Sequence, residues 1–484
     1  MSGKYILSID QGTTGTTAIV FDENGYVVDK AYEEIEQIYP QKGWVEHSPE
    51  GIWSSVINTV TKVIQKYKIS TIGITNQRES IVVWDKKSGE AIYNVIVWQC
   101  RRTVTMCQNL DEYSQTIKEK TGLPLDAYFS ATKIAWILEN VPYENKENLV
   151  CGTIDSWLIY KLTNGQSFYT DYTNASRTML FNIETKSWDE QLLKIFNIPK
   201  SMLAETKKSE DEYGFVKTIE ALKDTPIQGV AGDQQAALFG QGCFEKGSLK
   251  NTYGTGCFML LQCENERIDT DTLITTLAID KEGNPSYALE GSVFSGGSTI
   301  QWLRDELAII KDAKESEEYA NSIKDNNGVY LVPAFTGLGA PYWDMNAKGT
   351  ITGLTRDSNR FHIARAALES IAYQSNDLLK SMKQKSGFLI ERLKVDGGAS
   401  HNAFLMQFQA DITQIPIDRA KNIETTALGV ALLAGLQSKI FNATSDIAVL
   451  RDGFNEFSPK MATDVREELL LGWSEAIERT KSFT

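Results

Sequence analysis

An alternating apolar run, Tyr5-Ile-Leu-Ser-Ile-Asp10-Gln-Gly-Thr-Thr14-Gly-Thr-Thr-Ala-Ile-Val-Phe21, is interrupted at its middle by glycines and threonines. Period-two alternation on both sides of such a break predicts strand, tight turn, strand. Gly12 and Gly15 allow the backbone to approach a ligand closely. Successive N–H groups in a turn of this kind form a concavity that suits an anion. Asp10 closes the first strand beside that concavity, where a carboxylate would repel phosphates unless Mg²⁺ lay between them. The pattern therefore implies a metal-bound nucleotide with Asp10 near the metal. It is not a Walker loop, because no Gly-Lys-Ser/Thr follows the glycines and no helix begins there.

The same pattern returns at Leu249-Lys-Asn-Thr-Tyr-Gly254-Thr255-Gly256-Cys-Phe258-Met-Leu-Leu261. Each copy leads a β meander. The first continues through Asn24-Gly25, a two-residue turn signal, into a strand near 26–36. The second continues through Leu273–Ile279 and a turn at Asp280–Asn284 into Ser286–Leu289. Two similar halves sharing a nucleotide are the expected organisation. A chain of 484 residues is long enough for both. The boundary is expected near 246, in the glycine-rich stretch Phe239–Gly247, giving domains 1–246 and 247–484.

Composition removes several classes. Lys plus Arg number 49 against 63 Asp plus Glu, a net charge of −14 that disfavours a nucleic-acid partner. No apolar run approaches the roughly 18 residues needed for a membrane span. The six cysteines show no CxxC pairing or Cys/His metal spacing, and only three histidines are present. A reduced, cytoplasmic protein is expected.

Val230-Ala-Gly232-Asp233-Gln234-Gln235 places a second carboxylate at the start of a helix-forming stretch. Alone, Asp233 reads equally well as a helix cap. Paired with Asp10 it completes a division of labour, one carboxylate managing Mg²⁺ and the other accepting a proton from an attacking hydroxyl. Arg78-Glu79 supplies donor and acceptor side by side, as vicinal hydroxyls require, although a surface ion pair is the ordinary reading of such a dipeptide. Ser295-Gly296-Gly297-Ser298 opens a helix carrying Ile300, Leu303, Leu307 and Ile310, with N–H groups directed toward an anion. Leu393–Asn402 reads as strand, Gly397-Gly398 turn and helix, a geometry in which ligands bind beyond strand ends. Ser130 is expected to cap a helix running to about Val141. Thr425–Gly435 is expected to be a closely packing helix of small residues with no chemistry.

Taken together, these segments resemble the FGGY carbohydrate-kinase family. Asp-Gln-Gly-Thr-Thr at 10–14, Asn-Gln-Arg-Glu at 76–79, Trp-Gln-Cys-Arg-Arg at 98–102 and Asp-Tyr-Thr-Asn-Ala-Ser-Arg-Thr at 171–178 are similar to its blocks. So are Gly-Asp-Gln-Gln-Ala-Ala-Leu-Phe-Gly at 232–240, Asn-Thr-Tyr-Gly-Thr-Gly-Cys-Phe at 251–258 and Asp-Gly-Gly-Ala at 396–399. The resemblance implies an α/β chain of two RNase H-like, actin-like ATPase domains with a nucleotide and substrate cleft between them. It also implies ATP-dependent phosphorylation of a small polyol, and Arg78-Glu79 points to glycerol, with sn-glycerol 3-phosphate as product.

By residue matching, the resemblance assigns substrate contacts to Arg78, Glu79, Tyr128, Asp233 and Gln234, with Trp98 and Phe258 packing the carbon chain. Nucleotide contacts fall to Thr13, Thr14, Gly15, Thr255, Gly297, Gln301, Gly398 and Asn402. Asp10 lies near the metal and Asp233 is the general base. ATP/ADP and Mg²⁺ are the implied cofactors, and a homo-oligomer, dimer or tetramer, is the implied assembly. Thr17 stands where well-studied bacterial members carry an arginine, so one cationic phosphate contact is missing. Two alternatives stay open: a sister kinase for another polyol or ketose, and an actin-like protein that binds ATP without phosphorylating a metabolite.

Overall fold

The period-two alternation resolves into β1 (Tyr5–Gln11), β2 (Gly15–Phe21) and β3 (Val27–Glu34) in the computed structural model, which describes residues 4–421, 424–447 and 453–482. The chain divides into two compact units that are not contiguous in sequence. One comprises Met1–Phe244, Thr275–Tyr287 and Thr425–Asp452; the other comprises Glu245–Ile274, Ala288–Glu424 and Gly453–Thr484.

In the first unit β4 (Ile69–Asn76) and β5 (Ile227–Gly232) join the meander in the order β5-β4-β1-β2-β3. β1, β4 and β5 run parallel, while β2 is antiparallel to both β1 and β3. The alternation sorts side chains onto two cores. Leu7, Ile9, Val20, Ile72, Ile74 and Val230 pack with Ile52, Val56 and Val60 of the helix Pro49–Val63. Ile6, Ile19, Phe21 and Ala231 pack with Val430 and Leu433 of the helix Thr425–Gln437. A sheet covered on both faces must be apolar on both, as these strands are. The small residues of the second helix allow contact at backbone distance: a Cβ on Gly73 or Gly229 would lie 2.4 or 2.5 Å from the Val430 carbonyl oxygen. The close packing expected of that helix is therefore present.

The second unit repeats the plan. β6 (Leu249–Tyr253), β7 (Cys257–Glu264), β8 (Pro285–Val293), β9 (Leu393–Asp396), β10 (Ile417–Ala420) and β11 (Phe454–Phe457) stand in the order β8-β7-β6-β9-β10-β11. β6 pairs antiparallel with β7 and parallel with β9, and β10 runs parallel to β9. Around β6, as around β1, a hairpin partner lies on one side and two parallel strands on the other. The repeated sequence pattern is thus a repeated topology.

Three local expectations are corrected. Asn24-Gly25 does not form a two-residue turn: the hairpin closes with Asp22 N–H donating to the Tyr26 carbonyl, and the Asp22 carboxylate accepts from the N–H groups of Asn24 and Tyr26. That carboxylate favours the longer loop. The helix after Ser295 is only Gly297–Asp305, so Leu307 and Ile310 lie beyond it. Ser130 is the first residue of the helix Ser130–Asn140 rather than its cap, and its hydroxyl donates to the Glu79 carbonyl at 3.1 Å. Among the described residues no helix is long and apolar enough to cross a membrane.

Candidate active site

The parallel strands of the first unit end together. Registers pair Asp10 with Thr75 and Gln11 with Asn76 across β1 and β4, and Asn76 with Gly232 across β4 and β5. Asp10, the Gln77-Arg78-Glu79 segment and Asp233 therefore emerge from one edge of one sheet, the edge at which open α/β sheets bind ligands. Two strand spacings, roughly 10 Å, separate the chains that carry the two aspartates.

Arg78 is buried, and its Nε lies 3.1 Å from Asp233 Oδ1 and 3.8 Å from Glu79 Oε1. Its Nη1 donates to Gln235 Oε1 at 3.2 Å, and Gln235 is itself fixed by donation to the Leu277 carbonyl. Gly232 is required for this approach, because a Cβ there would sit 2.7 Å from the Arg78 stem. Arg177, fully buried, donates through Nε to Glu79 Oε1 at 2.6 Å. Two buried cations are thus balanced by the buried Glu79 and the partly exposed Asp233, the pairing under which buried charges are tolerated. The surface ion pair that Arg78-Glu79 would ordinarily be is excluded. Glu79 adopts φ 61°, a left-handed conformation uncommon outside glycine and concentrated at functional sites.

Aromatic rings continue the site. Trp98 and Tyr128 meet edge to face at 5.6 Å, and the Arg177 guanidinium stands 5.7 Å from the Tyr128 ring. Trp98 Nε1 donates to Thr13 Oγ1 at 2.9 Å, joining the aromatic platform to the glycine-threonine turn. Lys133, wholly buried, donates to the carbonyls of Tyr128 and Phe129, and burial holds its ammonium down to about 8. Asp233 begins the helix Asp233–Gly240 with its side chain 29% exposed, and Gln234 beside it is buried. A carboxylate that is accessible yet backed by a buried arginine, beside a platform of rings, suits a small ligand rich in hydroxyls.

The turn itself is braced from below. Gly12 N–H donates to the Gly15 carbonyl at 2.9 Å. Gln77 Nε2 reaches Gln11 Oε1, the Gly12 carbonyl and His47 Nδ1, while His47 Nε2 meets Gln37 Oε1 and Gln37 donates to the Thr13 carbonyl. His47 is buried and neutral, its pKa lowered to about 4 by desolvation. Thr14 is exposed at the tip, and Gly15 is buried against Tyr32.

In the second unit the Gly254–Gly256 turn closes through Gly254 N–H to the Gly256 carbonyl. The amides of Gly297 and Ser298 donate to the carbonyls of Gly254 and Thr255. These donors brace the turn, so the expectation that they point toward an anion is corrected; a Cβ on Gly297 would sit 2.7 Å from the Gly254 carbonyl oxygen. Gly397, at φ 86°, lies against the Tyr253 backbone, which brings Gly398 to the same turn. Thr255, Gln301 and Gly398 are exposed. Asn402 caps the helix Ala403–Thr413 by accepting from Leu405 N–H, and Phe258 is half-buried on β7.

No cluster of three or more acidic, histidine or cysteine side chains that could cage a metal occurs among the described residues. The carboxylate available at the first turn is Asp10, partly buried at the end of β1. It suits Mg²⁺, which keeps much of its water and is held mainly by phosphates.

A profile of the FGGY family of carbohydrate kinases, N-terminal domain, matches residues 5–240, and one of the C-terminal domain matches residues 249–438. The chain belongs to the FGGY family of carbohydrate kinases. It is 53% identical to a glycerol kinase of Clostridium beijerinckii, with 99% of each chain covered, and 52% identical to a glycerol kinase of Fusobacterium nucleatum at the same coverage. The crystal structure of Plasmodium falciparum glycerol kinase with ADP superposes with a TM-score of 0.92 at 38% identity, covering 100% of this chain and 99% of that one. A gluconate kinase of Lactobacillus acidophilus shares the fold, with a TM-score of 0.88 at 24% identity and 99% and 98% coverage.

This FGGY kinase also uses residues to which sequence reading gave no role. Arg177, Thr173, Asn174 and Asp171 all lie in the matched block 171–178, and His47, Gln77, Lys133 and Gln235 brace the site from outside it.

Proposed function

We propose that this chain transfers the γ-phosphoryl group of ATP to glycerol, giving sn-glycerol 3-phosphate and ADP. The Arg78–Glu79–Asp233 constellation, with Arg78 and Glu79 buried against Arg177 and Asp233 partly exposed, carries the reading. Charged donors and acceptors of both kinds stand ready for adjacent hydroxyls, and Trp98 and Tyr128 offer apolar surface to the carbons. Asp233 accepts the proton of the attacking hydroxyl. A carboxylate is a weak base, so most of the rate comes from alignment and from charge placed before the reaction. Asp10, Thr13 and Thr14 of the first turn face the phosphates. Mg²⁺, held by the nucleotide beside Asp10, supplies positive charge to the phosphates when bound.

Residues 1–246 are assigned the triol site and the first phosphate turn. Residues 247–484 are assigned the rest of the nucleotide site through Thr255, Gly297, Gln301, Gly398 and Asn402, with Phe258 against the carbon chain. The likeness to curated glycerol kinases over almost the whole chain supports glycerol over other polyols. The six cysteines, all buried and free, suit a reducing cytoplasm. A dimer or tetramer is the proposed assembly, checked by light scattering.

The test is ADP release and ³¹P NMR of the product with glycerol, dihydroxyacetone, erythritol and xylulose. A phosphomonoester formed from glycerol at the highest kcat/KM supports the reading. A preference for a ketose would assign the chain to a sister activity, and nucleotide binding without polyol-dependent ADP release would mark an ATP-binding protein of another kind.

A further inference from the structure

Asp171 ends the strand Tyr169–Asp171 and is fully buried. Its Oδ1 accepts from Asn174 N–H and Asn174 Nδ2, both at 2.9 Å. Its Oδ2 accepts from Thr173 N–H at 2.9 Å, Thr173 Oγ1 at 2.6 Å and Ser209 Oγ at 2.7 Å. Capping the helix Tyr172–Ala175 accounts for the two backbone donors. The side-chain donors lead elsewhere. Thr173 Oγ1, with its proton directed at Asp171, accepts from Gly232 N–H at 2.8 Å, the amide just before Asp233. Asn174 exchanges two hydrogen bonds with Asn76, at 3.0 and 3.1 Å, and Asn76 Nδ2 donates to the carbonyl of Gln77, the residue before Arg78.

We propose that Asp171 is a positioning residue that sets the Arg78–Asp233 separation, through Thr173 on the Asp233 side and through Asn174 on the Arg78-Glu79 side. This rests on the reading of the site as a glycerol-phosphorylating one. A carboxylate accepts only, so it dictates where each hydroxyl and amide proton points and leaves the Thr173 lone pairs to Gly232. Burial raises the Asp171 carboxyl, while the Thr173 and Ser209 hydroxyls and the Thr173 and Asn174 amides oppose that rise. Asp155, buried nearby, is pushed up to about 7 by burial and then by the Asp171 charge.

The two arms make different demands, which separates positioning from mere support. Thr173→Val keeps the side-chain shape and loses the hydroxyl; kcat is expected to fall about tenfold or more, with glycerol KM within about twofold. Asn174→Ala is expected to raise glycerol KM about tenfold with a smaller change in kcat, and KM for ATP stays within about twofold in both. Thr173→Ser, which restores the hydroxyl, recovers kcat to within about twofold of wild type. If Thr173→Val does not fold, Ser209→Ala takes its place, with kcat lowered about threefold and glycerol KM unchanged. The proposal is overturned if both arms alter kcat and KM alike, if Thr173→Ser is as impaired as Thr173→Val, or if Ser209→Ala leaves kcat unchanged. Wild-type protein without glycerol-dependent ADP release would refute the functional reading instead. A crystal structure of Thr173→Val or Ser209→Ala then decides the positioning claim by whether the Arg78–Asp233 contact is lost or kept.

Discussion

Arg78 Nε lies 3.1 Å from Asp233 Oδ1, the arginine side chain 2% exposed and the aspartate 29%. The arginine is therefore fixed from within while the carboxylate meets whatever enters. Arg78→Ala leaves Glu79 and Asp233 without that donor. Glycerol affinity is expected to fall roughly 10- to 100-fold, the worth of hydrogen bonds to charged groups, with ATP affinity preserved. Calorimetric titration of each substrate checks it, and an unchanged glycerol Kd would remove Arg78 from the site.

Glu79 and Arg177 form a pair with both side chains at most 2% exposed. Glu79→Gln removes the charge that balances a buried guanidinium and is expected to destabilise the protein by about 3–5 kcal/mol. Urea unfolding of the two proteins measures the difference. A loss under about 1 kcal/mol would mean that the pair is solvated in solution.

Much of this site was legible as chemistry and little of it as geometry. Asp10, the glycine-threonine turns, Arg78-Glu79 and the small-residue helix announced themselves through local pattern. Arg177 pairs with a residue 98 positions away and Thr173 with one 59 positions away. Periodicity carries no information about such pairings. Ser130 follows the same rule, since its hydroxyl answers a carbonyl 51 residues distant rather than its own helix. A helix start offers donors to any nearby acceptor, and at Gly297 and Ser298 the Gly254 and Thr255 carbonyls take them.

Asp155 gives a pH signature. Its carboxyl rises from 3.8 unfolded to about 7 folded, through burial first and Asp171 second. The folded state then binds the extra proton, so stability present below pH 4 is lost as pH rises through about 7. Asp155→Asn abolishes that dependence. Relative to wild type it is expected to gain stability steadily between pH 4 and 8, with the gain levelling above. Parallel urea melts across this range check it; a difference that does not vary with pH would contradict the assignment.

His47, lowered to about 4 by burial, lies between Gln37 and Gln77. Folding favours its neutral form, so its contribution to stability is present above pH 6.5 and is lost as pH falls toward 4. Heteronuclear NMR should show an imidazole with its proton on Nε2 that remains neutral at pH 5.5. Titration near 6.5 would place His47 in contact with solvent and uncouple it from the phosphate turn.

The most direct measurement compares wild type with Asp233→Asn in rapid-quench assays of ATP with glycerol, alongside calorimetric binding of each substrate. The account predicts a single-turnover rate lowered about 10³-fold, with both substrates bound within about threefold of wild type. Near-wild-type turnover by Asp233→Asn would contradict it.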